Sequence, residues 1–370
     1  MIEGLDYSRP LALYIHIPFC FKKCDYCAFY SIEDRSYIDS YFNMLLKAVK
    51  EVSAEWGKKF YSIYIGGGNP GMIGIDRIAE LLDAAEIHGV PDEVTVELNP
   101  ENVSDEIGKL YGKATRISIG IQSLNEKTLK TLGRNASLEK SKKALEILSA
   151  SHFDFNADII TAVPGESVAD TLSDISEIAS YNPDHISFYC LSFEESTPLL
   201  ERLHPIKEEE EVSFLTNGWS LLKSLGYEHY EISAFCKRGK RSIHNEIYWN
   251  LGQYIGLGAS AESSFGYKRV ISARCSEDVL SYINSADINC YPLTNEEAEE
   301  EYLMLKLRVK DGIDKNEYKT RFDFDFDNQY SDAISTLDST WYVNSADRFA
   351  LTEAGMLVLD HIILRLALAL

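Results

Sequence analysis

Basic residues are scarce in this chain: lysine and arginine total 36 against 58 acidic residues, a formal net charge of −22. Neutralising phosphates takes cationic side chains, so a nucleic-acid partner is not expected. Long apolar runs are also lacking. The opening MIEGLDYSRP carries acids and no apolar stretch, which does not read as a secretory signal. The most apolar tail, residues 356–370, is interrupted by Asp360, His361 and Arg365. It falls short of the roughly 18 apolar residues that a membrane helix needs. The expectation is a cytoplasmic protein without stable membrane insertion. There are no short-period repeats, no low-complexity tracts, and no second cysteine pair beside the one cluster of thiols. In a reducing compartment, clustered cysteines are metal ligands sooner than disulfides.

What the chain does have is ample core: 45% of its 370 residues are hydrophobic and 25% charged. That length suggests about two domains. Over the first two-thirds, short β-branched and aromatic runs at 11–19, 61–65, 94–98, 116–121, 155–163 and 185–193 predict strands. Between them, helical periodicity covers 37–54, 75–87, 138–150 and 169–180. Repeated strand–helix units of this kind build a parallel sheet, barrel-like or doubly wound. Past residue 200 the pattern changes. Residues 207–211 open a charged helix and an aromatic-rich stretch follows over 227–254. From residue 293 we expect helices with one hairpin, 341–343 and 349–351, after which Thr352 caps a last helix with Glu353 in its first turn. Two helices, a hairpin and a helix suggest a winged-helix-like module.

The chemistry concentrates where predicted strands end. Cys20, Cys24 and Cys27 stand at C-x3-C-x2-C spacing just after the first strand. Thiolates favour soft metals and iron–sulfur clusters. Structural zinc takes four protein ligands, usually in paired knuckles, and a ferredoxin-type site also brings a fourth cysteine. Three thiolates on a four-iron cube leave one iron open to a small molecule. Cys190, Cys236, Cys275 and Cys290 are scattered and read as small hydrophobes. Gly66, Gly67, Gly68 and Asn69 follow the second strand, and no Lys-Ser/Thr succeeds them as in a phosphate-binding P-loop.

The cysteine spacing after a first strand resembles that of radical SAM proteins. The longer string YIHIPFCFKKCDYC resembles their coproporphyrinogen III oxidase-like branch, and IGGGNP, ELNPENVS, RISIGIQSLNEKTLKTLGR, DIITAVPGES, GYEHYEIS and HNEIYW follow in that family's order. The resemblance implies an α/β fold: a partial, parallel, TIM-like (β/α)6 barrel with a smaller C-terminal helical, winged-helix-like domain. The expected divisions are a barrel over 1–235, a linking segment with the H-N-x-x-Y-W motif over 236–292, and the C-terminal domain over 293–370. It also implies a [4Fe–4S] cluster on Cys20, Cys24 and Cys27, which reduces bound S-adenosylmethionine to methionine and a 5′-deoxyadenosyl radical.

By the same resemblance, Gly66, Gly67, Gly68 and Asn69 line the cofactor's methionine end, and Glu97 pairs with its amino group. Gln122, Arg134 and Asp158 match adenosyl and second-cofactor positions, and Tyr14 and Tyr26 match cofactor-contacting aromatics. The branch holds an enzyme, the oxygen-independent coproporphyrinogen III oxidase, and a heme chaperone. The oxidase carries a further cysteine where this chain has Phe29, and the chaperone carries H-N-x-x-Y-W, here His244 to Trp249. Both features imply the chaperone, with heme and a heme-acceptor protein as partners, His244 contributing to heme binding, and Tyr248 and Trp249 packing nearby. Three positions depart from the family pattern: Asn69 replaces a usual threonine, and Ala136 and Glu262 replace usual histidines.

Overall fold

In the computed structural model, residues 4–134, 137–195, 197–267, 270–285 and 288–369 are described. Ala136 lies outside them. Strands β1 (Leu11–Ile17), β2 (Ser62–Gly67), β3 (Glu93–Leu98), β4 (Arg116–Gln122), β5 (Asp154–Thr161) and β6 (His185–Cys190) pair in parallel and in sequence order. Helices link most of them. Ile38–Trp56 ends where Gly57 turns left-handed at φ 66°, and Val168–Ser180 starts on a reciprocal Ser167–Asp170 capping box.

Each strand of this sheet alternates. Leu13, Ile15, Ile63, Ile65, Val94, Val96, Ile117, Ile119, Ala157, Ile159, Ile186 and Phe188 are buried in the main apolar core. The intervening residues are polar: Ser62 and Tyr64, Glu93 and Glu97, Arg116 and Ser118, Asn156 and Asp158, His185 and Ser187. A parallel sheet covered on both faces normally reads as near-continuous hydrophobic runs. Here one face packs under helices while the other is bonded across strands, as in Asn156 Nδ2 to Ser118 Oγ at 2.8 Å and His185 Nδ1 to Asn156 Oδ1 at 2.7 Å. The polar face is the inside of a partial barrel.

Residues 236–292, expected as a linking segment, are built into the same sheet. β7 (Glu228–Glu231) and β8 (Ala234–Cys236) add antiparallel strands beyond β6. β9 (Gln253–Leu257) lies parallel on the other side of β1, followed antiparallel by β10 (Glu262–Phe265), β11 (Ile271–Cys275) and β12 (Ile288–Pro292). The short helix Ile243–Trp249 packs into the polar concave face. Its first amides, on Ile243 and His244, donate to the Glu93 carboxylate at 3.0 Å each. A carboxylate at a helix N-terminus satisfies otherwise unpaired donors and complements the helix dipole.

The C-terminal part has helices Asn295–Lys306, Lys315–Phe322 and Phe326–Ser335 around a small three-stranded sheet. The expected hairpin is β14 (Tyr342–Asn344) and β15 (Arg348–Leu351), and β13 (Ile313–Asp314), only two residues long, joins it. Thr352 caps a helix as expected, but that helix stops at Met356 and a second, Leu359–Ala367, follows after a break at Val358. No helix among the described residues is long and apolar enough to cross a membrane.

Candidate functional site

The loop after β1 is tied down by backbone bonds. Cys20 N donates to Ile32 O at 2.9 Å and Ile32 N to Pro18 O at 2.7 Å, while Gly68 N and Asn69 N donate to Ile17 O and Phe19 O, each at 2.9 Å. The glycine loop therefore lies directly against the cysteine loop. A Cβ on Gly68 would stand 2.9 Å from Cys20 Sγ and 3.0 Å from Phe19 O, and Gly67 adopts φ +117°. Both positions need glycine.

Cys20, Cys24 and Cys27 border one cavity of about 640 Å³ at the carboxyl ends of the parallel strands. Tyr26, Gly67, Gly68, Asn69, Glu97, Gln122, Arg134 and Asp158 line the same cavity, so eleven of the fourteen sequence-predicted cofactor-site residues meet there, while Gly66 lies in the same loop without bordering it. Burial holds the Cys20 and Cys24 thiols above their usual range, and the Arg134 guanidinium beside Cys24 acts in the opposite sense.

Arg134 is held by donation to Tyr26 Oη and Asn99 Oδ1, each at 3.3 Å, and to Gly120 O, which leaves its buried Nε without a partner. Glu97 accepts from Tyr64 Oη at 2.5 Å and from Gly67 N at 3.2 Å. Burial lifts its carboxyl to about 7, against these two hydrogen bonds. Asp158 is also raised by burial and accepts from Asn156 Nδ2 at 2.7 Å. Gln122 sits at a bulge closing β4 with φ 69° and accepts from Tyr189 Oη at 3.3 Å. A non-glycine residue held there stores backbone strain, a feature that clusters at ligand sites.

Two further expected residues lie apart from this group. Tyr14 bonds His16 Nδ1 at 2.9 Å and lines a separate cavity of about 300 Å³ with Tyr248, Tyr254, Glu262 and Glu301. His244 is fully buried: its Nδ1 pairs with Ser62 Oγ at 2.8 Å, its Nε2 with Tyr248 Oη at 2.7 Å, and burial lowers its pKa to about 3. With both nitrogens engaged, this geometry does not offer His244 as an axial ligand to heme iron. Trp249 packs with Tyr230, and Tyr248 with His244 and Tyr254.

Sequence reasoning missed Ser118, Ser187, Tyr189, Asn245 and Arg308, which also line the large cavity. The first three had a readable signal, since they are the polar partners in alternating strands. Arg308 had none. It reaches the cavity from the C-terminal part because Arg308 O accepts from Ile232 N at 3.0 Å and its side chain pairs with buried Glu231 at 2.8 Å.

Family models match twice: the radical SAM superfamily over residues 14–178 and the HemN C-terminal domain over 293–358. A heme chaperone HemW of Buchnera aphidicola (Schizaphis graminum) is 30% identical, with 96% of this chain aligned to 97% of that protein. The chain belongs to the HemW family of radical SAM proteins. HemW of Escherichia coli K12 is 35% identical over 68% of this chain and 69% of its own length. The solved structure of coproporphyrinogen III oxidase (HemN) from Escherichia coli superposes with a TM-score of 0.83 at 17% identity, spanning 99% of this chain and 92% of that one. That likeness concerns the fold, which is a HemN-type radical SAM barrel with a HemN C-terminal domain.

Radical SAM membership implies a [4Fe–4S] cluster and S-adenosylmethionine, and the residues present fit both. Among the described residues no three His, Cys, Asp or Glu side chains are grouped to hold one metal ion. A four-iron cube asks for something else, one thiolate on each of three irons, and three thiols border this cavity. The unpartnered Nε of Arg134 and the buried carboxyls of Glu97 and Asp158 supply a donor and two acceptors for a zwitterionic nucleoside.

Proposed function

We propose that this HemW-family protein is a heme chaperone, which binds a [4Fe–4S] cluster, S-adenosylmethionine and heme and passes heme to an acceptor protein. The observation that carries the reading is end-to-end similarity to proteins named heme chaperone HemW, at 30% identity over 96% of the chain. Phe29 supports it. This residue is 72% exposed just beyond the cluster loop, where the oxidase brings a further cysteine.

Cys20, Cys24 and Cys27 would hold three irons. The cluster and S-adenosylmethionine supply one-electron chemistry when bound. Gly67, Gly68 and Asn69 let the backbone approach the methionine end, and Glu97 would accept from its amino group. Arg134 would donate through its free Nε, while Gln122 and Asp158 would meet the adenosyl side. Tyr26 backs this arrangement through its bond to Arg134.

The test is anaerobic. The protein is reconstituted with iron and sulfide, then given reductant, S-adenosylmethionine and coproporphyrinogen III, and the mixture is analysed by mass spectrometry. Heme is titrated in parallel by absorbance. Heme binding without decarboxylated porphyrinogen is expected. A doubly decarboxylated product would make the protein an oxidase and sink the chaperone reading.

A further inference from the structure

We infer that Tyr64 is a positioning residue for Glu97, and that the helix carrying His244 braces it from behind. This rests on reading Glu97 as the partner of the cofactor's amino group. Neither Tyr64 nor His244 lines the large cavity, so both act through the carboxylate.

The Tyr64 hydroxyl donates to Glu97 Oε1 at 2.5 Å, and the second donor to that carboxylate is Gly67 N, at 3.2 Å from Oε2. The Tyr64 ring lies 5.1 Å, centroid to centroid, from the His244 ring and 6.1 Å from that of Tyr14. His244 is fixed in turn. Ser62 holds one nitrogen, Tyr248 the other, and Glu93 binds the amides that begin its helix. A ring fixed at two nitrogens and one backbone amide has one orientation, and the tyrosine ring tilted against it at 35° is limited with it. Besides Asn245, which lines the cavity directly, the H-N-x-x-Y-W motif thus reaches the cofactor site by packing.

The bond also decides a charge state. Glu97 is buried and faces Asp158 across the barrel, both of which disfavour ionisation, while Arg116, Gly67 N–H and the Tyr64 hydroxyl favour it. Tyr14, Tyr189 and Tyr248, the other titratable groups facing it, are kept neutral by burial. An amino group is bound best by the carboxylate form, so binding strengthens as pH rises through the Glu97 pKa. Removing the Tyr64 hydroxyl moves that midpoint upward.

The experiment uses full-length reconstituted protein and S-adenosylmethionine, with affinity read from the cofactor-induced change in the reduced cluster's electron paramagnetic spectrum. Y64F keeps the ring and loses the hydroxyl. It is expected to bind about tenfold more weakly, with the pH midpoint shifted up and iron content unchanged. In an E97Q background, Y64F should add nothing, because both changes act on one interaction. H244A, checked for iron content and thermal midpoint, should weaken binding in the same direction. If wild type and E97Q bind alike, the reading of Glu97 fails and the inference falls with it. If E97Q weakens binding while Y64F leaves affinity and midpoint unchanged, the inference alone is overturned. Unchanged affinity in a folded, fully loaded H244A overturns the bracing role.

Discussion

Lowering the pH should destabilise this protein through His244, by an amount the structure sets. The side chain is fully buried as neutral imidazole, and its pKa falls from 6.5 to about 3 because burial penalises the charged form. The unfolded chain therefore takes up a proton below about pH 6.5 that the folded protein refuses. Stability from this group is fully present above the unfolded pKa and is lost as pH falls below it. Between about pH 7.5 and about pH 5.5 the loss is about 1.4 kcal/mol, since one unit of pH below the unfolded pKa corresponds to that energy. His16, held at about 4 by burial, adds a loss of the same sign. Glu97, lifted to about 7, works in the opposite sense over the same range. Total slopes therefore mix several groups, and a difference between variants isolates one. Urea unfolding of wild type and His244→Gln at the two pH values is the assay. The variant should be less stable at both, because it loses the ring, yet its loss on acidification should be smaller by about 1.4 kcal/mol. Equal losses would mean that His244 is accessible or charged in the folded state, and would reopen it as a ligand.

Further outcomes follow from the cavity wall. Cys24→Ser should abolish stable cluster incorporation, seen as lost iron and lost visible absorbance after reconstitution, whereas Cys190→Ser should retain both. Gly68→Ala places a methyl 2.9 Å from Cys20 Sγ and 3.0 Å from the Phe19 carbonyl, so iron loading should drop, with a stability loss of about 1–3 kcal/mol by chemical denaturation. Arg308→Ala strands Glu231, which is 2% exposed and faces that guanidinium at 2.8 Å. The cost should be about 3 kcal/mol in unfolding, with Arg308→Lys recovering part of it.

The cysteine and glycine loops were legible in the sequence because their geometry is local. Spacing over eight residues and a run of three glycines determine what those backbones can do wherever they sit in space. The strands β1 to β6 were legible for a related reason, being bounded by turns and separated by helices of ordinary length. What sequence could not reveal is which way a side chain faces once the barrel closes. Tyr14 and His244 were read from their place in motifs, yet Tyr14 turns to a second cavity and His244 to Ser62 and Tyr248. The segment 236–292 was obscure for a different reason. β10 reads Glu-Ser-Ser-Phe, and four of the five β12 residues are exposed, so neither carries the apolar alternation that marks a half-buried strand.

The inner face of the parallel strands is lined with charge and hydroxyls, among them Ser62, Glu93, Glu97, Arg116, Ser118 and Asp158. The helix Ile243–Trp249 covers the amino ends of β2 and β3, burying Ile247 and Trp249 while meeting the polar face with polar groups. Its amides take the Glu93 carboxylate, His244 takes the Ser62 hydroxyl, and Asn245 faces the cavity. The C-terminal part then holds this helix through Lys306 Nζ on Asn250 Oδ1 at 2.8 Å, and β7 through Arg308 on Glu231. Burial raises the Glu97 carboxyl to about 7, and the first amides of the helix, on Ile243, His244 and Asn245, are all satisfied. The H-N-x-x-Y-W motif is accounted for by that packing, in which a histidine with two fixed partners and a tyrosine are the parts that fit a polar interior.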